Sequence, residues 1–341
     1  MAYTTQYCTL PLCLDWASSN TEDTRSLAWG DYDNDGDLDL AVGNYGQPNH
    51  VYRNDHGVLT TSGIWSSTES DDTQSVAWGD YDGDSDLDLV VGNAFAPNRL
   101  YRNDTGVLTP SAVWSSNESD FTLSVAWGDY DGDGDLDLAV GNAGPNRLYR
   151  NDTGVLTPSA VWSSSESDTT WSVAWGDSDG DGDLDLAAGN DFAPNRLYRN
   201  DGGTLLLTAV WASSETDHSR SVAWGDYDGD GDPDLAVGNY PEANRIYRND
   251  GGALTPSAIW SSAESDNTYS VAWADYDSDG DLDLATGNAF GPSRLYRNDA
   301  GVLPANAVWS SAESDFTYNV AWGDYDGDGD LDLAVGGNGP N

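Results

Sequence analysis

Apolar positions along the chain fall in short runs of strand length, separated by clusters of glycine, proline, asparagine and serine. In one representative unit the runs are Leu123 to Trp127, Leu136 to Gly141, Arg147 to Asn151 and Val155 to Trp162. Runs of this length between turn-forming residues predict strands. The unit recurs. Tryptophans that open its first strand stand at Trp29, Trp78, Trp127, Trp175, Trp224, Trp273 and Trp322, spaced 49, 49, 48, 49, 49 and 49 residues. A fixed period in this range marks a solenoid or a propeller, because one repeat cannot bury its own apolar face. Four short strands per period make a propeller blade, whereas a solenoid would need atypical capping repeats, and none is visible. The pattern therefore predicts an all-β, seven-bladed β-propeller of four-stranded antiparallel blades, with residues 1–341 as a single domain. Tyr101 and Trp114 are 13 residues apart, as are Tyr3 and Trp16, while the C-terminus stops at Gly339-Pro340-Asn341 where other units continue into Arg-Leu-Tyr. Residues 1–16 are thus expected to complete the blade begun at the C-terminus.

Between the first and second strand of each unit, aspartates occupy alternate residues. In the third unit they are Asp129, Asp131, Asp133, Asp135 and Asp137, with Gly134 at the sixth position. Closely spaced carboxylates and a turn glycine can fold several oxygens around one hard cation. Calcium accepts six to eight oxygens at flexible geometry, and magnesium demands a stricter octahedron. Cysteine and histidine do not recur in the unit, which argues against zinc and copper. The loop is not an EF-hand, which needs a glutamate at position twelve and a following helix; position twelve is Val140, inside a strand.

Asp-x-Asp-x-Asp-Gly-x-x-Asp between two strands resembles the FG-GAP/VCBS repeats of integrin-α-type calcium-binding propellers, over essentially the whole chain. The resemblance implies that positions one, three, five and nine bind through side chains and position seven through its backbone carbonyl. In the first unit these are Asp31, Asp33, Asp35 and Asp39, with Asp37 at position seven. The corresponding sets are Asp80, Asp82, Asp84, Asp86 and Asp88, then the third-unit set above, then Asp177, Asp179, Asp181, Asp183 and Asp185. Three more follow: Asp226, Asp228, Asp230, Asp232 and Asp234; Asp275, Asp277, Asp279, Asp281 and Asp283; and Asp324, Asp326, Asp328, Asp330 and Asp332. Up to seven calcium ions are expected, one per blade, with a structural role. Ser85 replaces the turn glycine in the second loop, which weakens or strains that site. Pro233 removes a backbone donor in the fifth.

Charge restricts the partners. The formal net charge is −46, there is no lysine, and all 13 basic residues are arginine. Such a surface repels nucleic acid and anionic membrane; adaptation to high salt is a competing explanation for the excess acid. An aromatic content of 11% argues against disorder. No apolar run is long enough to span a bilayer, and no signal peptide is visible. Dependence on calcium places the expected site of action outside the cell or at its surface. Cys8 and Cys13 suit either a small-loop disulfide or two unpaired thiols.

Alternating strand direction puts two connections of each blade on the face opposite the metal loops, as in Gly92 to Asn98 and Ser115 to Asp120. In integrin-type propellers this face meets the partner. In similar fungal lectins, pockets between blades hold an amino sugar. Asparagine, aspartate and serine beside tryptophan suit a sugar, and they suit ordinary loops equally. The leading expectation is multivalent recognition of a carbohydrate or glycoprotein ligand. A protein-adhesion or self-assembling surface scaffold is the alternative. His50, His56 and His218 sit at unrelated positions, no nucleophile–base pair recurs, and no enzymatic activity is expected. The arginines of Arg-Leu-Tyr-Arg are expected to pair with carboxylates, and the recurrent tryptophans to pack between blades. Sequons stand at Asn103, Asn117 and Asn151.

Overall fold

The computed structural model describes residues 16–312, 314, 316–324 and 328–337. Each blade begins with an inner strand, such as Asp72–Gly79, and steps outward through Asp88–Ala94, Arg99–Tyr101 and Trp114–Ser115. All pairings are antiparallel, with Trp78 opposite Leu89, Leu89 opposite Tyr101, and Leu100 opposite Trp114. The second strand is buried along its whole length, which is why Leu-Val-Val-Gly reads as a continuous apolar run instead of an alternating one. Inner strands of successive blades pack on one another, and Thr24–Gly30 packs on Thr317–Gly323, so the sheets form a closed ring.

The core lies between blades. Tyr32 and Val51 of the first blade meet Val76, Leu89 and Tyr101 of the second in one buried cluster. Burying each such aliphatic side chain stabilises by roughly 1.5–3 kcal/mol. The inner-strand tryptophans reach across as expected: Trp78 Nε1 donates to the Ala28 carbonyl at 3.0 Å. A Cβ added at Gly30 would lie 2.7 Å from the Trp78 ring, so the glycine that follows the tryptophan makes room for the next blade's indole, in every unit but the sixth, where Ala274 stands.

The expected count of seven four-stranded blades is corrected. Among the described residues there are six four-stranded blades, and Thr317–Gly323 pairs with Asp332–Gly337 in a sheet of only two strands. Counting acidic hairpins counts only inner strand pairs. A blade also needs a third and fourth strand, which elsewhere come from the residues that follow. Trp16 Nε1 donates to the Thr60 carbonyl at 3.2 Å, as Trp65 Nε1 does to Thr109 at 3.3 Å. The closure expected of residues 1–16 otherwise lies outside the described residues, as do Cys8 and Cys13.

Candidate metal loops and the opposite face

Each acidic loop joins the two innermost strands of a blade, and its carboxylates divide the work. Position one caps the turn: Asp129 Oδ1 accepts from the amide of Asp133 at 3.1 Å and Oδ2 from that of Gly134 at 3.0 Å. Position five accepts from position seven, Asp135 N to Asp133 Oδ1 at 3.0 Å. The position-seven side chain turns away to the outer hairpin of its blade, where Asp135 Oδ2 accepts from Thr153 N at 2.7 Å. Position nine is fully buried, and Asp137 accepts from the amides of Tyr130 at 3.1 Å and Asn151 at 2.8 Å. Position three keeps an oxygen in reserve. Oδ1 of Asp33, Asp82, Asp131, Asp179 and Asp228 is buried without a hydrogen-bond partner.

Carboxylate oxygens of Asp31, Asp33 and Asp39 lie within 4.8 Å of one another, as do those of Asp80, Asp82 and Asp88, and of Asp129, Asp131 and Asp137. In the fourth and fifth loops the close sets are Asp177, Asp179 and Asp181, and Asp226, Asp228 and Asp230. The structure therefore gathers positions one and three with either five or nine. In the last loop Asp326 lies outside the described residues, and Asp324 and Asp328 keep the position-one cap. Burial, the largest cause, pushes the carboxyls of Asp39, Asp88, Asp137 and Asp234 up to about 7, and that of Asp283 to about 6. Burial and then the neighbouring carboxylates raise the position-three groups, including Asp33 and Asp131. A buried oxygen without a donor, among carboxylates that repel one another, fits a hard divalent cation. Positions one, three, five and nine would hold it, and the ion would neutralise the cluster.

Two residues hold each of the first five loops against the next blade, and the sequence reading gave neither of them this role. Asn103 donates Nδ2 to the Tyr32 carbonyl of the preceding blade's loop at 2.6 Å, while its amide holds Asp88. At Gly203, whose φ is +74°, an added Cβ would meet Asp131 Cβ at 2.8 Å. The recurrence of Tyr-Arg-Asn-Asp carried the asparagine's signal. Ser85 adopts φ 73° and still donates its amide to Asp80 at 2.9 Å, so the second loop keeps its shape. Pro233 likewise keeps its carbonyl bond to Asn249 at 3.1 Å.

Other expectations resolve individually. Arg99 pairs with Asp71 at 2.6 Å and Arg102 with Asp104 at 2.8 Å, so these arginines are neutralised within the blade. Asn103 and Asn151 are fully buried, which removes them as glycan acceptors, whereas Asn117 is exposed. His50 pairs with Glu22 and His218 with Asp191, far apart in the ring.

The opposite face is irregular where the metal face repeats. Phe95, Phe192 and Phe290 project from connections between second and third strands with 76%, 69% and 70% of their surface exposed. Phe95 lies tilted against Phe121, and Phe192 and Phe290 meet His218 and Phe316 edge-on. From blade four onward the rings continue through Tyr240, Tyr269, Phe316 and Tyr318. On the metal side, between blades four and five, a cleft of about 280 Å³ is lined by Ser178, Asp179, Leu197, Arg199, Trp211 and Leu254, among others.

A closed ring of six four-stranded sheets and one described strand pair, with acidic loops at the inner hairpins, defines a β-propeller binding module. The chain belongs to the FG-GAP-like repeat family, whose model matches six overlapping stretches: residues 31–91, 80–140, 129–188, 177–237, 226–286 and 279–335. Among solved structures it is similar to BBS1N in complex with ARL6DN, soaked with lead. That chain is 14% identical with a TM-score of 0.65, over 94% of this chain and 90% of that one. A second structure of the same complex, soaked with mercury, is 13% identical with a TM-score of 0.67, over 93% and 90%. At such identity the likeness shows the fold alone. No curated protein matches the chain.

Proposed function

We propose that this protein is a calcium-stabilised binding module acting outside the cell, which docks a partner protein on the face opposite its metal loops. One observation carries the reading. Phe95, Phe192 and Phe290 hold exposed aromatic rings at φ of 57°, 52° and 58°, in the left-handed region. Gly46 fills the equivalent position of the first blade. A bulky residue there costs of order 1–3 kcal/mol, and such strain collects at functional surfaces. Three strained rings facing water are inexpensive only if they are covered in use. BBS1N, similar in fold, was also solved with a second protein, ARL6DN. The function is assigned to binding rather than catalysis, and calcium holds the hairpins that set the blades' spacing.

The test is a binding assay in calcium against candidate surface proteins, comparing wild type with the triple variant F95G/F192G/F290G. Loss of the wild-type partner by a variant that keeps its melting temperature supports the reading. Undiminished binding overturns it.

Carbohydrate recognition is the second reading, favoured by the cleft at Trp211. An indole beside Asp179 and Arg199 offers a flat apolar wall with polar groups, and the volume suits a single sugar ring. The lining contains Ser178 where the other loops carry tyrosine, so the reading points to one such site and not one per blade. A glycan array in calcium tests it, with S178Y closing the cleft as control.

A further inference from the structure

One position per repeat escapes the repetition. Four residues before each inner-strand tryptophan stand Arg25, Gln74, Leu123, Trp171, Arg220, Tyr269 and Tyr318. The ring brings all of these to a single pocket of about 170 Å³ on the axis, at the end away from the metal loops. Although 59 of the 341 residues are acidic, no carboxylate lines this pocket. Arginine, serine, glutamine, asparagine and tyrosine side chains supply its polar groups.

The serines that follow six of the variable residues form a collar that lines it too, with Asn319 in the seventh place. Ser172 Oγ accepts from the amide of Val222 and Ser221 Oγ from that of Val271, each at 3.1 Å, across the blade boundary. Their own hydroxyl protons remain to be donated. Arg220 is the decisive group. The other twelve arginines each lie within ion-pair distance of a carboxylate, and Arg220 pairs with none among the described residues. Its guanidinium lies 3.7 Å from the Trp171 ring centre, with Tyr240 and Tyr269 at 5.6 and 5.4 Å. Nε and Nη1 are buried without an acceptor, leaving Nη2 for the channel. Arg25, across the pocket, is already neutralised by Asp23 at 2.8 Å. Asp191, the acid whose field reaches Arg220, faces His218 at 3.1 Å. Aromatic faces compensate part of the cost of burying a cation, and an anion would compensate the rest.

We propose that the mouth of the central channel is a binding site for a single carboxylate group, received by Arg220 against Trp171 and by the serine collar. Nη2 of Arg220 can give a charge-assisted hydrogen bond to a carboxylate oxygen, and the remaining oxygen can accept from the serines. The pocket admits the group and the carbons next to it, carried on an acidic peptide or on an acidic sugar. No metal-loop residue and none of the three exposed phenylalanines lines the site, although Tyr269 and Tyr318 at its rim belong to the same run of rings.

Calorimetric titration in calcium tests it with N-acetylglutamate and glucuronate as probes, and N-acetylglutamine and glucose as their neutral counterparts. One equivalent of at least one acidic probe is expected, with no uptake of the neutral ones, and the acidic probe that binds identifies the source. R220Q should weaken binding by about tenfold or more. Gln74→Glu, which places a carboxylate at the mouth and leaves Arg220 intact, should do the same and decides the matter if R220Q folds poorly. The phenylalanine triple variant should bind the acidic probe normally, so failure of the docking face and failure of the channel site are distinguishable. No uptake of either acid, or uptake unchanged in both channel variants, overturns the proposal.

Discussion

Asn249 donates Nδ2 to the carbonyl of Ser178 at 2.7 Å, the same bond that Asn200 makes to Tyr130 one blade earlier at 2.6 Å. The backbone is therefore held alike in both loops, and only the side chain differs. Tyr130 packs with Leu148, Trp162 and Leu205, whereas the equivalent space beside Ser178 is the cleft at Trp211. Ser178→Tyr should fill it and stabilise the protein by about 1–2 kcal/mol in calcium, less the bond from Ser178 Oγ to Asp185. A lowered denaturation midpoint would show that the cleft is not tyrosine-shaped.

Chelation should lower the melting temperature sharply, and calcium should restore it better than magnesium does. A site that binds only the folded chain contributes about 2.7 kcal/mol at a hundredfold excess over its Kd. Asp131→Asn removes a charge from the group whose Oδ1 has no partner. It should reduce the bound calcium by one equivalent, measured by equilibrium dialysis. Indifference of both melting and ion content would reduce the loops to solvated turns.

The metal-free protein should lose stability as pH rises. Burial lifts the Asp39, Asp88, Asp137 and Asp234 carboxyls to about 7 when folded, against about 3.9 in the unfolded chain. The folded state thus holds protons that the unfolded state has released. The contribution of these groups is fully present below the unfolded value and is lost as pH climbs through 7. With chelator, the melting temperature should fall between pH 5 and pH 8, and the gain from calcium should widen. A chelated protein that grows more stable over that range contradicts the assignment.

Phe192→Gly should leave stability within about 1 kcal/mol of wild type, because relief of left-handed strain opposes the added freedom of the unfolded chain. Binding of the partner should weaken nonetheless. A large loss of stability would mean that the ring holds up the fold through His218 instead of serving recognition.

The strands, the acidic loops and the inter-blade tryptophans could be read in the sequence, because each rests on neighbouring residues: turn glycines, alternating aspartates, short apolar runs. The count of four-stranded blades could not, since it depends on which distant segments supply the outer strands. Nor could the roles of the loop carboxylates. Asp131 and Asp135 look alike in the sequence, yet Asp135 is held by Thr153 of the outer hairpin while Asp131 Oδ1 is left unpartnered. The two buried sequons look as accessible as Asn117 until packing hides them. Arg25, Trp171 and Arg220 read as scattered exceptions to a repeat. The axis of the ring alone makes them neighbours, because closing the blades in a circle brings residues some 49 to 195 positions apart onto one point.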